Sequence, residues 1–258
     1  MNLINSLIKR DFRFTFKNLL IRSLFFGVIF FIFNIVTVMK SKSVGIDDIN
    51  LFYTQLKGIK IFSIKDGGEF PFMWFLVNFF IIFNLGDNFY NDLKANGKYV
   101  LVRCRNLKYF YIVKVFLLIC NTIVYYILLF LIMLLLSKIF LNLPEFSFIE
   151  GININNTRFI VTLFLLYTTT SISLVLIQNM LSLVINPKYS SLINIVLLIL
   201  SLVISSSILP GQHCLILRHV PFDDIGNLTL LKSVLYNFVL SAVTIIAGYI
   251  TFLKKDIY

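Results

Sequence analysis

The sequence predicts an all-α, polytopic membrane protein with six transmembrane helices, an N-terminal interfacial amphipathic helix and a re-entrant hairpin before the last span. Of its 258 residues, 59% are hydrophobic and 14% are charged, whereas soluble domains carry roughly 25% charged residues. Apolar runs of about 20 residues recur along the chain, and each can cross a hydrocarbon core about 30 Å thick. Lys and Arg flank these runs, as is typical of membrane topology signals.

The apolar runs divide the chain into six predicted spans. They cover residues 19–39, 70–85, 111–136, 159–185, 192–209 and 234–253. The second run is the shortest, and Pro71 suits its first helical turn because the missing N–H has no helical partner there. The first run is followed by no pair of small residues suited to signal-peptide cleavage, so we expect it to remain as a membrane anchor.

Two segments outside the spans have patterns of their own. Residues 1–18 place polar and basic side chains on one helical arc, including Lys9, Arg10, Arg13 and Lys17. This pattern predicts a helix in the membrane interface, serving either as a simple anchor or as a partner-binding element. Residues 19–258 form the six-helix transmembrane domain, and apolar residues with prolines in 210–233 predict the re-entrant hairpin.

The distribution of Lys and Arg predicts both termini in the cytoplasm of a multi-pass cell-membrane protein. Residues 87–110 are then cytoplasmic, and the outer loops are 40–69, 137–158 and 210–233. Five lysines in 40–69 oppose this orientation, but four acidic residues in the same loop offset their charge: Asp47, Asp48, Asp66 and Glu69. Heavy use of Ile, Phe, Leu, Asn and Lys favours a bacterial source with an AT-rich genome.

The sequence predicts no catalytic residue, metal site or cofactor in this chain. Gly97-Lys98 lacks the preceding Gly and the following Ser or Thr of a phosphate-binding loop, since Asp92 and Tyr99 occupy those positions. His213 and His219 match no ligand spacing and are expected to be ordinary loop residues. The central parts of the spans contain no Asp, Glu, Lys, Arg or His, which disfavours ion-coupled transport. The net charge of +11 comes from Lys and Arg beside the spans rather than from a soluble basic face, which disfavours nucleic-acid binding.

Uncharged polar residues within the spans are the candidates for lining a transport pathway. Because polar groups in lipid need partners, each of them should face another helix or a cavity. For any single residue, hydrogen bonding between helices is the favoured interpretation. The candidates for pathway lining are Asn78, Asn84, Asn121, Thr168, Thr169, Ser173, Gln178 and Asn179.

Six spans, a basic N-terminal helix, a polar helix after the second span and an apolar hairpin before the sixth together resemble the permease subunits of type-2 ATP-binding-cassette (ABC) exporters. Locally, residues 87–97 followed by Arg103, Arg105 and Lys114 resemble that family's coupling segment, although Asp92 stands where related sequences carry a denser charged cluster. The resemblance implies contacts with an ATPase by Asp87, Asn88, Phe89, Tyr90, Asn91, Asp92, Leu93, Lys94 and Gly97.

The same resemblance implies the partners and the activity. The partners would be a cytoplasmic ABC ATPase that binds ATP and Mg, a second permease copy in a homodimer or related heterodimer, and membrane lipid, with no nucleic acid. The aromatic-rich interior favours export of an amphipathic or hydrophobic cargo such as a peptide, bacteriocin or drug. Two alternatives stay open: an intramembrane enzyme, such as a protease or acyltransferase, and a non-transporting membrane immunity or scaffold protein.

Overall fold

The computed structural model describes residues 21–40, 50–60, 70–94, 107–140, 146–149, 152–223 and 228–254. These residues form helices α1 (Ile21–Lys40), α2 (Leu51–Leu56), α3 (Phe72–Leu85), α4 (88–94), α5 (Leu107–Phe140), α6 (Asn156–Val184), α7 (Pro187–Val203) and α8 (Leu230–Lys254). Strands β1 (Phe146–Ile149) and β2 (Ile152–Asn155) form an antiparallel hairpin, and two 3₁₀ helices cover Pro210–Cys214 and Ile216–Arg218. The predicted interfacial helix 1–18, with Lys9, Arg10, Arg13 and Lys17, and residue Gly97 lie outside the described residues.

Within the described residues, five helical stretches are long and apolar enough to cross a membrane: Ile21–Lys40, Phe72–Lys94, Leu107–Phe140, Asn156–Val184 and Leu230–Lys254. The chain is therefore a predominantly helical polytopic membrane protein, as predicted. The run 192–209 corresponds to α7, a shorter apolar helix that begins at Pro187 and ends at Val203. A count of six spans and the re-entrant hairpin stay predictions.

The ends of α7 have clear physical causes. Asn186 accepts a hydrogen bond from the Lys188 backbone N–H, which caps the helix before Pro187. At the other end, the buried Arg218 guanidinium donates to the carbonyl oxygens of Ser201 at 2.7 Å and Leu202 at 2.9 Å. These carbonyls belong to the last turn, where helical partners are missing. Arg218 therefore ends α7 earlier than the apolar run suggested.

Two of the predicted loop segments contain regular structure. Helix α5 extends from Leu107 to Phe140, so residues 107–110 of the predicted cytoplasmic segment 87–110 are helical, and the side of the membrane on which that segment lies stays a prediction. The predicted outer loop 137–158 is largely regular structure, because the end of α5, the β-hairpin and the start of α6 occupy most of it. Helix α5 continues past Leu136 through Ser137 and Lys138 to Phe140, and Asn155 caps α6 by accepting from the Arg158 backbone N–H.

The buried apolar residues form two clusters, of which the smaller lies at one end of the bundle. The larger cluster includes Trp74 near the start of α3, Met133 in the second half of α5 and Phe159 near the start of α6. The smaller cluster brings together Phe89 of α4, the start of α5 and the ends of α6 and α8, including Phe252 near the end of α8. Long helices that follow one another along the chain are therefore antiparallel, and the predicted cytoplasmic ends of α3, α5, α6 and α8 meet.

Candidate functional site

The candidate site is the α4 segment, residues 86–94, which follows α3 where α5 begins and where α6 and α8 end. Gly86 starts it at a close contact with α6. A Cβ atom at this position would lie 1.9–2.1 Å from the side-chain amide atoms of Gln178, far inside van der Waals contact. Glycine is therefore required for α6 to approach this turn with Gln178 in its present position.

Asp87 connects the α4 segment to α6 and α7. Its carboxylate accepts a hydrogen bond from Gln178 Nε2 at 3.1 Å. Gln178 Oε1 lies 3.5 Å from Asn194 Nδ2, and Asn194 also donates to the Leu174 carbonyl oxygen at 2.8 Å. Gln178 and Asn194 are both fully buried. A displacement of Asp87 would therefore alter hydrogen bonds on two other helices.

Phe89 connects the α4 segment to α5 and α8 through an aromatic cluster. Its ring is buried, with centroids 6.0 Å from Phe110, 6.0 Å from Tyr111 and 5.7 Å from Phe252. The Tyr111 hydroxyl donates to the Ile245 carbonyl oxygen on α8 at 2.9 Å. Aromatic pairs at these separations attract each other beyond their apolar burial. The cluster thus fixes α4 against the ends of two long helices.

Asp92 makes an ion pair with Lys114 of α5. The carboxylate and ammonium groups lie 2.5 Å apart, and the Lys114 side chain is 9% exposed. The ammonium also lies 5.5 Å from the centre of the Phe110 ring, in a cation–π geometry. A buried charge is costly unless it is paired, and Asp92 supplies the opposite charge for Lys114. This is a third connection between the α4 segment and the spans.

The remaining residues of α4 face outward to different degrees. Asn91 and Lys94 are exposed, whereas Asn88, Tyr90 and Leu93 are half-buried. A partner at this end of the bundle would first meet Asn91 and Lys94. Of the predicted ATPase contacts, Asp87, Phe89 and Asp92 instead have their described contacts with the protein's own helices.

Most of the predicted pathway residues hydrogen-bond to neighbouring helices or to their own backbone, whereas Asn179 Oδ1 is buried without a hydrogen-bond partner. Asn78 Oδ1 accepts from Ser171 at 3.2 Å, and Ser173 lies 3.1 Å from Asn237 Oδ1 of α8. Asn84 accepts from Arg22 of α1 at 3.3 Å. Thr168 and Thr169 donate to carbonyl oxygens of their own helix, and Asn121 and Asn179 are buried. Together with Gln178, which contacts Asp87, these residues are distributed along the bundle rather than gathered at one place.

Sequence reasoning identified the α4 segment but missed its receiving residues. Gln178 was assigned to a pathway, and Phe110, Tyr111 and Phe252 were treated only as apolar positions in or beside spans. Helical periodicity places such residues on a face, but it does not tell which distant helix they will contact. Lys114 was noted only as part of the basic stretch before α5, and its ion pair with Asp92 was not predicted.

No protein-family model matches this chain, and comparison with curated proteins and with solved structures likewise gives no match. A functional assignment therefore rests on the residues and their geometry.

Proposed function

We propose that this chain is the transmembrane permease subunit of a type-2 ABC exporter. In this proposal α7 is the fifth of six spans, residues 210–233 form the re-entrant hairpin, both termini are cytoplasmic, and two permease copies work with a separate cytoplasmic ATPase. The observation that carries the proposal is the anchoring of the α4 segment to α5, α6 and α8 by three different contacts. These are the hydrogen bond from Gln178 to Asp87, the aromatic packing of Phe89 and the ion pair between Asp92 and Lys114.

Such anchoring suits a segment that transmits motion from an attached protein. A loop held only by its two ends would absorb a displacement, whereas packed side chains and ion pairs pass it to the helices that they join. On α4 the anchoring residues are interleaved with the exposed Asn91 and Lys94. One face can therefore bind an ATPase while the other moves three spans.

Charge favours an acidic docking surface on the ATPase. The stretch after Lys94 contains Lys98, Arg103, Arg105 and Lys108. Complementary charge accelerates docking and favours the correct partner. ATP and Mg would bind in that ATPase rather than in this chain.

The proposed cargo is amphipathic or hydrophobic, for example a peptide, bacteriocin or drug. The centres of the predicted spans contain no acidic or basic side chain, so they offer no charged group to a strongly charged solute. Stimulation of ATP hydrolysis by amphipathic peptides in the reconstituted complex would support this cargo class. A complex whose ATPase rate is unchanged by such peptides and by lipophilic drugs would exclude it.

The decisive experiment is co-purification of the full chain with a soluble ABC ATPase, sought first among the products of the genes next to its own. The double variant N91E/K94E should lose the ATPase, because it introduces negative charge on the face that would meet an acidic surface, while its unfolding transition stays unchanged. The matched control is Lys138→Glu, a charge reversal at the exposed, opposite end of α5. If N91E/K94E retains the ATPase as well as the control does, the docking face is wrong. If the wild-type chain binds no ATPase, the proposal fails and the scaffold alternative gains.

The intramembrane-enzyme alternative is favoured by one observation. Ser233 Oγ lies within hydrogen-bond distance of His213 and His219, as in a nucleophile with its base. Ser233 is fully buried, however, and the other nitrogen of each ring meets a backbone carbonyl instead of a carboxylate. We therefore expect a fluorophosphonate probe to leave Ser233 unlabelled in the folded protein, and labelling lost in Ser233→Ala would revive the enzyme alternative.

A further inference from the structure

Two histidine rings meet at one serine hydroxyl beside the start of α8. His213 Nδ1 lies 3.0 Å from Ser233 Oγ, and His219 Nε2 lies 2.9 Å from the same oxygen. His213 and His219 are 1% and 2% exposed, and Ser233 is fully buried. Ser233 is in the first turn of α8, whereas the histidines belong to the 3₁₀ region that precedes it. The three side chains thus join two parts of the fold.

The outer nitrogen of each ring has a partner that fixes the tautomer. His213 Nε2 lies 3.0 Å from the Ser207 carbonyl oxygen, and His219 Nδ1 lies 3.1 Å from the Leu215 carbonyl oxygen. A carbonyl oxygen only accepts, so each of these nitrogens carries a hydrogen. In the neutral rings, the two nitrogens that face Ser233 therefore both have lone pairs.

The hydroxyl of Ser233 has a single hydrogen and can satisfy only one of those lone pairs. With both rings neutral, one histidine nitrogen faces an oxygen lone pair in a buried site, which costs free energy. One added proton removes the conflict. The protonated ring donates to Ser233 Oγ, and Ser233 donates its own hydrogen to the neutral ring. A second proton would leave the serine hydrogen without an acceptor in this cluster and place two positive charges together.

We propose that His213, Ser233 and His219 form a binding site for a single proton, which is taken from the surrounding water and shared between the two rings through the serine hydroxyl. Protonation completes the hydrogen bonds between α8 and the 3₁₀ region. In the predicted topology this site lies on the outer side of the membrane.

Among the charged and titratable groups near the two histidines, binding of the shared proton is the main change in charge. Tyr236 of α8 stacks on His213, with ring centroids 4.3 Å apart. Arg218 and Asp223 follow in the chain, with Asp223 near enough to favour the charged form of Arg218. The buried Cys214 thiol contacts Trp74 of α3, Lys57 and Lys60 come from the segment after α2, and Lys232 precedes Ser233. Helices α6 (Asn156–Val184) and α7 (Pro187–Val203), which also pack against the first 3₁₀ helix, contain no Asp or Glu.

Burial opposes the positive charge, which sets the direction of the pH dependence. It lowers the pKa of His213 from 6.5 to about 4 and also lowers that of His219. The unfolded chain therefore binds more protons than the folded chain between these values, and acidification through this window destabilises the fold. For the first proton, the completed hydrogen bonds offset part of the cost of burying its positive charge. The second proton completes no further hydrogen bond and has no such compensation. The first proton should thus bind below pH 6.5 and well before the second.

Nitrogen-15 NMR of the full chain in lipid nanodiscs tests the proposal directly, because the protein contains only two histidines. Imidazole nitrogen shifts distinguish the two neutral tautomers from the charged ring. Between about pH 8 and about pH 4 we expect one ring to become charged while the other stays neutral over at least one pH unit, about a tenfold weaker second affinity. Both rings titrating together, or both staying neutral to the end of the range, would overturn the proposal.

Variants at Ser233 test the sharing. Ser233→Ala removes the hydroxyl, so the first protonation should shift to lower pH by about one unit, a tenfold loss of proton affinity. Ser233→Thr keeps a hydroxyl and should retain the step, and Ser241→Ala on the same helix is the matched control. A first step that is unchanged in Ser233→Ala would show that the proton is not shared through the serine. If Ser233→Ala does not fold, the wild-type titration still decides.

Discussion

Replacing Arg218 with Met should destabilise the end of the bundle opposite the α4 segment. The guanidinium donates three hydrogen bonds to carbonyl oxygens in two separate parts of the chain: Lys60 at 2.7 Å, Ser201 at 2.7 Å and Leu202 at 2.9 Å. Arg218 itself is 3% exposed. Methionine fills much of the same volume but donates no hydrogen bond, so all three carbonyls lose this partner.

The expected loss is about 2–4 kcal/mol. Each of the two buried carbonyls of Ser201 and Leu202 costs roughly 1–3 kcal/mol when left without a partner, and loss of a positive charge at the end of α7 costs about 0.3–1 kcal/mol more. Against this, Met avoids the cost of burying a charge, which is also why burial lowers the pKa of Arg218. The opposing terms leave a net destabilisation because the three hydrogen bonds are charge-assisted and well aligned.

The free energy of unfolding is measured by SDS titration of the full chain in mixed micelles. Arg218→Lys should give an intermediate loss, because an ammonium keeps the charge but cannot reproduce the planar arrangement of three donors. The matched control is Arg158→Met near the start of α6, where the side chain is exposed and the change should stay within about 0.5 kcal/mol. A loss below about 1 kcal/mol for Arg218→Met would refute the role assigned to Arg218.

Three further outcomes are expected. Gly86→Ala should cost about 1–2 kcal/mol in the same titration, because the new methyl group forces Gln178 away from Asp87. The double variant G86A/Q178A should then be only slightly less stable than Gln178→Ala alone, and losses that add up would contradict this explanation. Lys114→Met should cost about 3–5 kcal/mol by leaving the Asp92 charge without its partner, and Asp92→Asn in the same chain should recover part of it. Burial raises the pKa of the Cys214 thiol to about 12, so maleimide at neutral pH should modify Cys214 only after unfolding, and mass spectrometry that finds it modified in the folded protein would contradict its burial.

The sequence was most informative where one local property decides the structure. The length of an apolar run determines whether a helix can cross the membrane, and five of the six predicted runs correspond to helices of sufficient length. The start of α7 was also within reach, since Asn186 followed by Pro187 is a recognisable helix start. It was missed because the apolar run alone set the boundary at residue 192.

Contacts between distant residues could not be predicted in the same way. Asp87 and Gln178 are 91 positions apart, and nothing in the local sequence around either residue specifies the other. His213 and His219 were interpreted as ordinary loop residues because their spacing matches no metal motif. Their burial depends on how the 3₁₀ region packs beneath α8, which is a property of the whole bundle rather than of the segment.

The contact between α6 and α8 allows the two interpretations of the polar span residues to be separated. Ser173 lies 3.1 Å from Asn237 Oδ1, and Asn237 Nδ2 donates to Thr170 Oγ1 at 3.1 Å, all three residues being fully buried. Hydrogen bonds between membrane helices contribute about 0.6 kcal/mol each on average. If these residues only join the helices, Asn237→Leu should lower the unfolding free energy by about 1 kcal/mol and leave cargo-stimulated ATP hydrolysis unchanged.

Thr169→Val is the matched control, because the Thr169 hydroxyl bonds within its own helix, to the Leu165 carbonyl oxygen at 2.7 Å. It should leave the unfolding free energy within about 0.5 kcal/mol of the wild-type value. Loss of cargo stimulation in Asn237→Leu at unchanged stability would instead assign Ser173 and Asn237 to the pathway. The side chains cannot hydrogen-bond fully to each other and to a cargo at once, so transport through this contact would require α6 and α8 to separate during each cycle.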